Sequence, residues 1–162
     1  VFSPSPEQIE YAELLLRRAN GDLQACRVLS EDADIDDNIV GFHAQQAVEK
    51  AMKVVLVLAD ADLPLTHDLK FLLRQLRETG TEPPDDISQT SWLTPWAAEL
   101  RYDEPIALDR AAALRVAESA TDWAASLLAD AKRPPLDPTS GSESREEAPS
   151  AGGARTSRAA AG

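Results

Sequence analysis

Cysteine, histidine and aromatic residues are scarce in this chain, and each scarcity excludes something. One cysteine, Cys26, in 162 residues rules out an internal disulfide and a thiolate metal cluster. Two histidines, His43 and His67, with no His-Glu-x-x-His spacing, make no zinc motif. No apolar run approaches the ~20 residues that a bilayer requires. The first residues, Val1-Phe2-Ser3-Pro4, do not read as the basic and then apolar segments of a secretory signal. There is no Gly-rich phosphate loop, no Gly-x-Ser-x-Gly elbow and no alternating strand pattern. These absences lead to the expectation of a soluble, cytoplasmic protein with neither metal nor cofactor, Cys26 being an inert core thiol.

What is present favours helix. Apolar residues make up 43% of the chain, yet aromatics only 5%, so Ala and Leu build the core. The length suits one domain. Net charge is -12. Residues 133–162 hold four arginines and four acids, so residues 1–132 carry all of that excess. A domain so acidic repels a polyanion, which argues against long nucleic acid and leaves a local positive cluster or a small ligand. Residues 133–162 are rich in Pro, Ser, Gly and Ala, with no aliphatic residue after Leu136. They are expected to form a disordered tail behind a helical domain of residues 1–132.

Punctuation divides that domain. Ser5 and Pro6 open a helix expected to reach about Leu29, with Ile9, Ala12, Leu15 or Leu16, Ala19, Leu23 and Cys26 inward. Gly21 in its middle suggests a close contact. One of Asp36, Asp37 or Asn38 caps a second helix that runs to about Asp60. Its core face is Val40, Ala44, Ala47, Val48, Ala51, Val54, Val55 and Leu58. Thr66 is the expected cap of a third helix bearing Leu69, Leu72, Leu73 and Leu76 and stopped by Gly80. A fourth is expected from Asp86 to about Asp103, either kinked at Pro95 or restarting at Thr94. The fifth spans about Leu108 to Ala131, with Ala111, Leu114, Ala117 or Glu118, Ala120 or Thr121, Ala124, Leu127 and Leu128 inward. The predicted fold is all-α, an antiparallel up-and-down bundle of four to five helices.

The second helix also has a polar face. His43, Gln46, Lys50 and Lys53 recur at spacings of three and four, which lines them up on one side. Such a stripe can present an imidazole, an amide and two ammonium groups to a nucleotide. Lys50 and Lys53 would meet phosphate, and His43 and Gln46 base or sugar. Arg101 and Tyr102 close the fourth helix, where a guanidinium can clamp phosphate and a phenol can stack a base. The bland alternative is a solvated face in which Glu49 and Lys53 form an i,i+4 ion pair. Pairing of Lys50 and Lys53 with acids of the same chain would favour it. His67 reads as a surface or packing residue, and Trp92 and Trp96, four apart, as packing on one side.

The segment Phe42-His43-Ala44-Gln45-Gln46-Ala47-Val48-Glu49-Lys50-Ala51-Met52-Lys53 resembles the signature of the HEPN domain family (higher eukaryotes and prokaryotes nucleotide-binding). Further pieces follow in the family's order: Ala19, Asp22-Leu23 and Leu29, then Thr66-His67-Asp68-Leu69, then Leu100-Arg101-Tyr102. The resemblance covers about residues 7–130. It implies a helical bundle, usually a homodimer and often encoded beside a minimal nucleotidyltransferase. The roles it implies are nucleotide binding, toxin–antitoxin modules or metal-independent RNA cleavage. The cleaving members resemble one another in an Arg followed some residues later by a His near the start of the last helix. Here both histidines precede Arg101, so the imidazole is missing from that place. The expectation is therefore a nucleotide-binding protein that is not an enzyme, acting as partner of a nucleotidyltransferase. A HEPN toxin ribonuclease and a ligand-free dimeric interaction module are the alternatives.

Overall fold

In a computed structural model of the chain, residues 2–97 and 107–133 are described. The expected residues Arg101 and Tyr102, and positions 134–162 of the expected tail, lie outside them.

Helix α1 spans Pro6–Ser30. Ser5 caps it reciprocally: its Oγ accepts from Gln8 N at 3.3 Å, and Gln8 Oε1 accepts from Ser5 N at 2.6 Å. Helix α2 spans Asp37–Leu58, and the Asp36 carboxylate accepts from Asn38 N at 2.7 Å. Helix α3 spans Leu69–Glu78. Its cap is Asp68 rather than the expected Thr66. Thr66 Oγ1 instead accepts from Asp68 N at 3.1 Å, forming a turn just ahead of the helix. Gly80 closes α3 at φ 80°, the left-handed conformation that glycine adopts freely.

The fourth helix departs from expectation. Asp85–Ser88 forms a single α-turn, α4, and Thr90–Ala97 follows as a 3-10 segment containing Pro95. Proline removes an N–H and crowds the preceding turn, so a long regular α-helix does not form through this stretch. The last helix, α5, spans Arg110–Ala131 with Asp109 as cap.

Directions follow from long-range contacts. Gln8 near the start of α1 donates to Asp60 just beyond α2, so α1 and α2 are antiparallel. Lys132 pairs with Glu13 at 2.6 Å and Arg27 with Glu118 at 2.7 Å, so α5 is antiparallel to α1 and runs the same way as α2. Arg110 sets the rotation of α5: its Nε donates to Asp37 at 2.6 Å and its Nη1 to the Asp32 carbonyl at 2.8 Å. The buried stripe of α5 is Ala113, Ala117, Ala120, Thr121, Ala124 and Leu128. The expected Ala111 is exposed, and Ala113 faces inward instead.

Helix α2 is the core of the bundle. All eight residues of its expected core face are buried, and so are Met52, Leu56 and Val57. It packs against α1, α3, the 3-10 segment and α5. The close backbone approach is at Gly41, not at Gly21. A Cβ on residue 41 would overlap the Trp96 ring, whereas one on residue 21 would meet nothing within 4 Å. Trp96 is seated there and meets Trp92 edge-on, ring centroids 6.2 Å apart. Cys26 is buried, which pushes its thiol up from the ordinary value.

Candidate functional site

Two carboxylates organise the polar face of α2. Asp22 reaches across from α1 and accepts from Lys50 Nζ at 2.7 Å through one oxygen. The other oxygen lies 3.0 Å from His43 Nδ1. Glu49, on α2 itself, is only 3% exposed. It accepts from Lys53 Nζ at 2.8 Å and from Gln45 Nε2 at 2.9 Å, and it lies 3.0 Å from His67 Nδ1. Burial pushes the Glu49 carboxyl up, but hydrogen bonds from Lys53, Gln45 and His67 outweigh it and hold the group below the ordinary glutamate value.

Gln46 joins the two centres. Its Oε1 accepts from Lys50 Nζ at 2.6 Å, and its Nε2 donates to Gln45 Oε1 at 2.8 Å and, more weakly, to Glu49 at 3.4 Å. One hydrogen-bonded chain therefore runs from His43 through Asp22, Lys50, Gln46 and Glu49 to His67. Networks of this kind polarise along their length and hold their members in one arrangement.

The structure thus brings His43, Gln46, Lys50 and Lys53 onto one face, as their spacing implied. Each lysine, however, is already paired with an acid of the same chain. Two ammonium groups stand against two carboxylates, which neutralises the apparent cationic stripe. Protein partners take two of the three donors on each ammonium: Asp22 and Gln46 for Lys50, Glu49 and the Thr66 carbonyl for Lys53.

Sequence reasoning read Glu49 only as a surface ion-pair partner and gave Asp22 no role at the site. The signal for Asp22 was its place beside Leu23 on the core stripe of α1, where a charge needs a partner. The signal for Glu49 was its helical neighbours Met52 and Leu56, three and seven residues on and both buried, which place the acid at the edge of the core face. His67, read as a surface or packing residue, is a mostly exposed ring gripped by a buried carboxylate.

Other features stand apart from this face. A cleft of about 610 Å³ at the C-terminal end of α2 is lined by Phe2, Leu58, Asp60, Thr79 and Glu82 and touches none of these side chains. Among the described residues, no group of three or more His, Cys, Asp or Glu side chains is arranged to hold a metal ion. None of their helices is long and apolar enough to cross a membrane.

The HEPN domain family matches residues 12–133, three quarters of the chain and all of the main helices but the first turns of α1. The chain belongs to the HEPN domain family. It is 44% identical over 50 residues to the Methanocaldococcus jannaschii protein named Putative toxin MJ1304, a stretch that is 31% of this chain and 32% of that one. The match thus spans about a third of that relative's length. No solved structure matches the chain.

These findings correct the expectation that the chain is not an enzyme. HEPN membership together with a relative bearing a toxin's name points toward activity. The expectation rested on one imidazole missing downstream of Arg101. Folding sets the two upstream imidazoles against carboxylates, Asp22 of α1 and Glu49 of α2.

Proposed function

We propose that this HEPN protein is the effector of a toxin module, a metal-independent ribonuclease working from the polar face of α2. The observation that carries this reading is the pair of imidazoles on one face, each held through Nδ1 by a carboxylate. A carboxylate in that position fixes the ring's orientation and leaves Nε2 to exchange protons with a substrate. The relative's name supports the same reading. The acidic domain suits a short or single-stranded segment met locally rather than a long duplex held along its backbone.

Inducible expression of the chain alone tests the proposal, alongside incubation of purified protein with RNA in excess chelator. Growth arrest with cleaved cellular RNA, and cleavage that persists in chelator, are the expected results. Unaffected growth with intact RNA in both assays overturns it.

Nucleotide binding at the same face is a second reading, resting on the one donor that each of Lys50 and Lys53 keeps among the described residues, while their pairing with Asp22 and Glu49 counts against it. His43 and Gln46 would meet base or sugar, with Arg101 and Tyr102 at the mouth of the site. Calorimetric titration with ATP, GTP and their monophosphates is expected to give heat that Lys50→Ala/Lys53→Ala abolishes. Equal heat from that variant removes the reading. A homodimer and a minimal nucleotidyltransferase partner complete the proposal, to be checked by light scattering and by co-purification with the nucleotidyltransferase.

A further inference from the structure

We propose that His67 is the catalytic general base of this site and Glu49 its positioning residue. The inference rests on the ribonuclease reading above and assigns its chemistry to a pair formed between α2 and the loop before α3.

Three α2 side chains, one turn apart, converge on two loop residues. Gln45 Nε2 donates to the His67 carbonyl at 3.0 Å, Lys53 Nζ donates to the Thr66 carbonyl at 3.2 Å, and Glu49 holds the ring at Nδ1. The two backbone contacts already fasten the loop to the helix. A structural lock needs no third grip on an imidazole whose side chain is 66% exposed while its carboxylate partner is 4% exposed. Lys53 and Gln45 already hold the buried carboxylate ionised, and its further contact goes to a ring that faces solvent. Among the described residues His67 Nε2 has no hydrogen-bond partner, so it is the nitrogen that faces substrate. The other pair is less open. His43 is 27% exposed against 66% for His67, so His67 is the ring that reaches a substrate.

The step needs no cofactor. His67 Nε2 takes the proton of a ribose 2′-hydroxyl, and that oxygen attacks the adjacent phosphorus. The P–O2′ bond forms as the P–O5′ bond breaks. The departing 5′ oxygen takes a proton from water, and His67 returns its own to solvent. The products are a 2′,3′-cyclic phosphate and a 5′-hydroxyl end. The Lys53 ammonium, held by Glu49 and the Thr66 carbonyl, is the cation next to the pair and would stabilise charge on a non-bridging phosphate oxygen.

The test compares full-length wild type, His67→Asn, His67→Gly and Glu49→Gln on a short single-stranded RNA in chelator, with end-group analysis and thermal melts. Wild type is expected to leave 2′,3′-cyclic phosphate ends. His67→Asn is expected to lose at least about 100-fold in rate with its melt preserved, and His67→Gly to regain cleavage on addition of free imidazole. Glu49→Gln is expected to lower kcat with KM kept. A wild-type protein that cleaves while His67→Asn cleaves equally well, or His67→Gly that imidazole does not rescue, overturns the assignment alone. A wild-type protein that leaves RNA intact overturns the ribonuclease reading and this assignment with it.

Discussion

The two carboxylates of the polar face, Glu49 and Asp22, do similar jobs in different surroundings. Glu49 sits almost wholly inside the bundle and collects donors from Lys53, Gln45 and His67, all from α2 and the loop it holds. Asp22 is more open, its side chain 17% exposed, and ties α1 to α2 through Lys50 and His43. One acid fastens a loop to its own helix; the other fastens two helices together. The difference teaches that burial, more than the number of partners, sets what each interaction is worth. A charge removed from water leaves its neighbours stranded when it is deleted, whereas water can replace a partly exposed one.

Breaking the buried centre should have the largest effect. Glu49→Ala leaves Lys53 and Gln45 without their main acceptor beneath the loop, and a loss of about 3–5 kcal/mol is expected by chemical denaturation. A loss equal to that of the Asp22 variant would erase the distinction between the two centres. At the more open centre, Asp22→Ala should cost about 1–2 kcal/mol, read the same way.

Acid sharpens the comparison next. The folded Glu49 carboxyl is held below its ordinary value near 4.5, so the unfolded chain binds that proton more readily. Its contribution to stability is fully present above about pH 4.5 and is lost as the pH falls through the lower folded value. Urea midpoints measured from pH 6 to pH 3 should fall for wild type, and Glu49→Gln should flatten part of that slope. An unchanged slope would show that Glu49 is not linked to folding. The smallest effect is expected at the exposed end of the network. His67→Asn should shift stability by less than about 1 kcal/mol in a thermal melt, since the loop keeps its two backbone contacts.

Much of the fold was legible in the sequence. Ser5 with Pro6, the acids before α2 and Gly80 mark helix ends by local chemistry that needs no tertiary partner. The core face of α2 was legible because eight apolar residues repeat at helical spacing. The stretch around Pro95 misled, because a proline permits either a kink or a change of helix type and only packing chooses. Gly21 misled for a similar reason. Glycine marks a possible close approach, but whether a tryptophan sits opposite depends on another element, and here Trp96 sits opposite Gly41.

The site was half legible. Its members on α2 follow from their spacing, since one helix fixes their relative positions. Their partners do not, because Asp22 is 28 residues from Lys50 and His67 is 18 from Glu49. An Arg-then-His motif has the same limit, being an order along the chain, whereas the fold joins two imidazoles that both precede Arg101 through one network.

Local periodicity and capping chemistry act within a few residues, so the sequence by itself determined an acidic, all-helical bundle built on α2. The charge of its polar face is a sum over groups distant in the chain, and only the tertiary structure decided it. Packing α1 and the loop before α3 against α2 brought two acids onto two lysines. That turned an apparent cationic stripe into a neutral network with an imidazole at each end.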